Sequence, residues 1–152
     1  MRKITDGTVL YVHINAPTKT WDDGHSYRSP EDPWGSFGGP NATVGNVQKV
    51  WTANSLARAI LRIVKRCLEC GVMLSVHMAL TSMFNTLPEF RQFAQDYYAN
   101  YKVYDQCQYD HFARNPAKFY TWNMPTPKVK KCYTHATGMC TRTEQAPLIQ
   151  LM

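Results

Sequence analysis

An apolar period of 3.6 residues runs through Val47, Val50, Trp51, Ala57, Ile60, Leu61, Val64 and Leu68 and stops at Gly71. The next residue opens a strand-like run, Val72-Met73-Leu74-Ser75-Val76-His77. The period buries one stripe of a helix, and glycine supplies the left-handed conformation on which helices end. A long helix fused to an apolar strand by one glycine has few ways to fold. The two must pack face to face, which selects an α/β layer architecture.

The remaining elements are read around that pair. Residues 8–14, Thr8-Val9-Leu10-Tyr11-Val12-His13-Ile14, form a β-branched and aromatic run, mostly apolar and therefore expected to be buried on both faces. Residues 15–46 hold Pro17, Pro30, Pro33, Pro40 and Gly24, Gly35, Gly38, Gly39, a breaker density that predicts a long contact loop. Leu87, Phe90, Ala94 and Tyr97 mark a second helix over 87–98. Residues 101–104 and 117–122 are two more strands, joined without a helical pattern and so expected to form an antiparallel hairpin. Strand-helix-strand alternation before them predicts a mainly parallel sheet with right-handed crossovers. Residues 123–152 read as an irregular tail, and the 152 residues as one domain.

An apolar content of 44% against 18% charged residues places the chain among globular rather than disordered proteins. No apolar run approaches the roughly 20 residues of a membrane span. No signal-peptide pattern opens the chain, so an intracellular protein with no membrane partner is expected, and the sequon at Asn41 is read as chance. The 17 Lys and Arg exceed the 11 Asp and Glu, giving a formal charge of +6 that favours polyanionic partners without naming one.

Arg58, Arg62 and Arg66, spaced i, i+4, i+8 with Lys65 beside them, put a basic ridge on the long helix, and Lys128, Lys130 and Lys131 form a second cluster. They read either as a nucleic-acid contact or as ordinary solvated surface. Tyr97, Tyr98, Tyr101, Tyr104, Tyr109 and Tyr120 are expected to fill a core with their hydroxyls at the rim rather than to stack bases. Five cysteines make no complete disulfide set. Cys132, His135 and Cys140, with Cys107 or His111 as a fourth ligand, are a candidate zinc set, against the alternative of a loop with free thiols. Cys67-x-x-Cys70 closes a helix instead of opening one, so packing explains it better than redox chemistry.

Several short segments, in order, resemble a family of cytosine-5 DNA methyltransferase-like domains of protists, viruses and mobile elements. Ala16-Pro17-Thr18-Lys19-Thr20-Trp21 stands where that family has Pro-Pro-Cys-x-Thr-Phe. Arg28-Ser29, Asp32-Pro33-Trp34-Gly35, Asn54-Ser55-Leu56, Leu87-Pro88-Glu89-Phe90 and Asp105-Gln106-Cys107-Gln108-Tyr109 follow as its later landmarks. Ser75-Val76-His77-Met78-Ala79 replaces its Ser-Val-Glu-Asn-Pro. The resemblance implies a partial Rossmann-like methyltransferase sheet whose N-terminal cofactor half is missing, because only seven residues precede the first strand.

It also implies lost chemistry. Thr18 occupies the position of the nucleophilic cysteine and His77 that of the base-engaging glutamate, and a hydroxyl without an activating base is a poor nucleophile. The expectation is a degenerate domain with no S-adenosylmethionine site: a non-catalytic scaffold or assembly subunit, contacting nucleic acid through its basic residues. The strand at 8–14 would then be an apolar edge completed by a partner protein or a second copy. Alternatives are a cytosine methyltransferase module active only with a partner chain, and a small zinc-stabilised nucleic-acid-binding protein.

Overall fold

A computed structural model describes residues 1–22, 27–35, 43–109 and 115–132. In chain order it has α1 (Arg2–Thr5), β1 (Tyr11–Asn15), α2 (Lys19–Asp22), α3 (Val44–Glu69) and β2 (Met73–Ala79). A 3-10 turn (Met83–Thr86), α4 (Pro88–Asp96), β3 (Asn100–Asp105), a second 3-10 turn (Gln106–Tyr109) and β4 (Pro116–Trp122) follow.

The helix-to-strand junction forms as its residues dictate. Thr43 caps α3, its Oγ1 accepting from the Asn46 N–H at 3.2 Å, so the helix starts one turn earlier than the apolar period suggests. At the other end the Gly71 N–H donates to Leu68 O and the Val72 N–H to Cys67 O, with Gly71 at φ +66°. This paired-bond stop needs a residue with positive φ and turns the chain straight into β2. The buried stripe of α3 comprises Val50, Ala53, Ala57, Ile60, Leu61, Val64, Cys67 and Leu68, with Asn54 at its margin. Trp51 is not in it: one residue past Val50 is about 100° around the helix, and its ring is 66% exposed.

The sheet order is β1-β2-β4-β3. β1 runs parallel to β2, while β4 is antiparallel to both β2 and β3, so the expectation of a mainly parallel sheet is corrected: the fold is mixed α/β with one parallel pair. The reason lies in the sequence of residues 106–115, which carries no helical pattern for a crossover; the chain returns as a hairpin, and β4 takes the place beside β2. The β3–β4 hairpin is as the sequence predicts.

Val12, Ile14, Leu74, Val76, Tyr120 and Trp122 point to the helical side, where Phe84, Leu87 and Phe90 complete a single core. The residues alternating with them, Tyr11, His13 and Asn15 on β1 and Ser75 and His77 on β2, face the other way. No helix among the described residues lies on that face, so β1 is not buried on both sides: only Ile14 is buried, and Tyr11 is 47% exposed. The tyrosine expectation is corrected likewise. Tyr97, Tyr98, Tyr101 and Tyr109 are exposed, and only Tyr104 and Tyr120 are half-buried.

Candidate functional site

Beyond β1 the chain stays tied to β2 through the Ala16 N–H, which donates to His77 O at 2.8 Å. Thr18 then starts α2, its carbonyl accepting from the Trp21 and Asp22 N–H groups, so the breaker-rich loop contains a helical turn that composition hid. That turn drives Trp21 into complete burial, with its ring edge-on to Trp34 and Phe84. Between it and the first turns of α3 opens a cleft of about 1070 Å³, lined by Pro17, Thr18, Lys19, Thr20, Lys49 and Leu56 among others.

Arg28 braces this loop. It is 2% exposed, and its guanidinium donates to Thr20 O, Thr20 Oγ1, Pro33 O and Asn54 Oδ1 at 2.7–3.1 Å. Burial pulls its pKa down to about 10, against a smaller pull upward from Asp32, so it stays charged at neutral pH. Gly35, at φ +64°, closes the loop where an added Cβ would come 2.7 Å from Tyr27 O. The sequence shows an arginine between two tryptophans in a Pro/Gly-rich stretch; its burial depends on contacts up to 26 residues away.

Thr18 and His77, the two positions singled out by the resemblance, do not line the same cleft. Thr18 lines the cleft on the α3 side, whereas His77 alternates with core residues Val76 and Met78 and points to the opposite face, beside Tyr104 at 5.9 Å. The His77 Nε2 is buried with no hydrogen-bond partner among the described residues. Burial first, and His13 second, hold its pKa below the usual histidine value. On the same face His13 Nδ1 and Tyr11 Oη both hydrogen-bond Ser75 Oγ, at 2.7 and 2.6 Å. Ser75 is fully buried beneath them, so this is a structural network, not an accessible nucleophile.

On the outer flank of α3 the basic ridge is real as geometry. Arg58, Arg62, Lys65 and Arg66 are all exposed. Lys65 and Arg66 share Glu69 at 3.8 and 3.5 Å, while Arg58 and Arg62 pair with no carboxylate among the described residues. The Arg58 guanidinium sits 4.9 Å over the Trp34 ring. With the exposed Trp51 these residues line a shallow hollow of about 350 Å³, an aromatic-basic patch that the apolar period conceals by assigning Trp51 to the core. Lys128, Lys130 and Lys131, also exposed, lie on a separate segment strapped to the end of β3: the Asp105 N–H donates to Lys130 O and the Cys132 N–H to Asp105 Oδ2.

Cys132 is buried with Cys107 in a small cluster of their own. His111, His135 and Cys140 lie outside the described residues. Among the described residues no three His, Cys, Asp or Glu groups come together as a metal site. Cys67 is buried and Cys70 exposed; burial, then Cys70, pushes the Cys67 thiol pKa up, the reverse of what a redox thiol needs. No helix among the described residues is long and apolar enough to cross a membrane.

Comparison with known protein families, curated proteins and solved structures finds no match to this chain.

Proposed function

We propose that the chain is a non-catalytic, methyltransferase-like assembly subunit that contacts nucleic acid through the outer face of α3. One observation carries this reading: β1 is an edge strand whose outer side pairs with no strand among the described residues. Leu10 O and the Ala16 N–H bond to β2, so the alternating residues Tyr11, His13 and Asn15 turn their N–H and C=O groups outward. No formal charge, proline or bulge blunts that edge, and such an edge accepts an added strand.

The α3 face supplies the second half of the reading. Arg58 and Arg62 offer uncompensated charge to phosphates, and the exposed Trp51 offers a ring on which a base stacks. A cytosine methyltransferase completed by a partner is disfavoured because Thr18 lines the cleft beside α3 and His77, on the other face of β2, does not. A zinc-stabilised form of the binding protein rests on the shared burial of Cys107 and Cys132, and zinc content per chain measured by emission spectroscopy tests it.

Light scattering on the protein isolated with its native companions tests the assembly. Tyr11→Pro removes an outward N–H that β2 does not use, so it should reduce the particle to a single folded chain, while Tyr11→Phe should leave the particle intact. A particle unchanged by Tyr11→Pro would contradict the reading.

A further inference from the structure

We infer that the cleft between α2 and the first turns of α3 binds a phosphate-bearing ligand of nucleotide size, at a site separate from the α3 ridge. This does not depend on the assembly role. The cleft's volume of about 1070 Å³ is at the upper end of ligand sites, which run to about 1,000 Å³.

Among its described lining residues the charge has one sign. Lys19 and Lys49 line it from opposite walls, one on α2 and one on α3, and no carboxylate is among its described lining residues. The first turn of α3, with Gly45 in the lining, adds the partial positive charge of a helix start. An added Cβ at Gly45 would meet nothing within 4 Å, so the space above that turn is open.

The cleft also has a built polar wall. Thr20 lines it yet is only 4% exposed, and its Oγ1 already accepts from the Arg28 guanidinium at 2.7 Å. That bond occupies a lone pair and leaves the hydroxyl proton as a donor, with a buried cation directly behind it. Thr18 adds an exposed hydroxyl, whereas the Thr52 hydroxyl donates back to Gln48 O at 3.0 Å and offers only lone pairs. Pro17, Ala53 and Leu56 add apolar lining that a ring can rest on. Cations, hydroxyl donors and an apolar wall in one cleft are what a phosphate ester on a planar base requires, from a free nucleotide or from a 5′-phosphorylated strand end.

Calorimetric titration of the full chain with adenosine monophosphate, adenosine, and a dinucleotide with and without a 5′-phosphate tests this. At least one of the phosphorylated ligands should saturate one site, and its unphosphorylated counterpart should bind at least about tenfold more weakly. Tighter binding of the monophosphate assigns the site to free nucleotides, and tighter binding of the phosphorylated dinucleotide to strand ends. Lys19→Gln with Lys49→Gln should weaken the phosphorylated ligand at least about tenfold, whereas Arg58→Gln with Arg62→Gln should change it by less than about twofold. All four substitutions are at exposed positions, and circular dichroism checks that the variants fold. No saturation by either phosphorylated ligand, equal binding of the unphosphorylated forms, or a loss confined to the arginine variant would overturn the inference.

Discussion

The Arg28 guanidinium sits over the Trp21 indole, with Cζ 3.4 Å from the ring centroid, and both residues are buried. The stack joins a cation-π contact to four hydrogen bonds, which together tie Thr20, Pro33 and Asn54 to one side chain. The shape of the cleft depends on this brace, because Thr20 is held by it and Trp34 by Asn54, whose Nδ2 donates to Trp34 O at 2.8 Å.

Arg28→Met keeps the stem and removes the donors, leaving Thr20 O, Pro33 O and Asn54 Oδ1 without their partner. Denaturant unfolding should show a loss of about 3 kcal/mol, since each stranded buried group costs about 1–3 kcal/mol. Arg28→Lys should recover only part of it, because an ammonium cannot reproduce the planar fork. Wild-type stability in Arg28→Met would mean that the loop is held by other contacts.

His77 makes stability pH-dependent with a definite sign. Its folded-state pKa lies below the ordinary value of 6.5, so as pH falls through 6.5 the unfolded chain takes up the proton first. The stability associated with neutral His77 is complete above that pH and is lost progressively below it, down to the folded-state value. His77→Phe should therefore lose less stability than wild type on going from pH 7.5 to pH 5, a comparison read from thermal midpoints at matched ionic strength. Parallel pH curves for the two proteins would contradict this.

On the ridge, Arg58→Glu with Arg62→Glu should weaken single-stranded nucleic-acid binding and flatten its salt dependence, by roughly one unit of slope for each phosphate that is no longer neutralised. Trp51→Ala should weaken binding by about 1–3 kcal/mol while leaving the salt slope alone, because stacking releases no counterions. Fluorescence anisotropy across a salt series separates the two effects. Unchanged slopes in the arginine variant would return the ridge to ordinary solvated surface.

Much of this fold is legible in the sequence, and the reason differs by element. The α3–Gly71–β2 junction is local: the period, the glycine and the strand are adjacent, and the bonds that stop the helix span only five residues. The β3–β4 hairpin follows from the want of a helical pattern in the sequence of residues 106–115. Strand order is not local, so the position of β4 between β2 and β3 cannot be read from spacing. An apolar run such as β1 does not reveal whether a second layer covers it, and here none of the described helices does. The helical period tolerates one residue of error, enough to move the Trp51 ring from the core to solvent. The separation of Thr18 from His77 is equally hidden, since it depends on which side of the sheet α3 packs.

Hydrogen exchange at the outward amides of β1 tests the assembly account most directly. In the native assembly the Tyr11, His13 and Asn15 N–H groups should be protected, and in the isolated chain they should exchange much faster. The amides bonded to β2, such as Ala16, should remain protected in both states. Equal protection of Tyr11, His13 and Asn15 in the isolated chain and in the assembly would show that no partner strand adds at this edge, and would contradict the account.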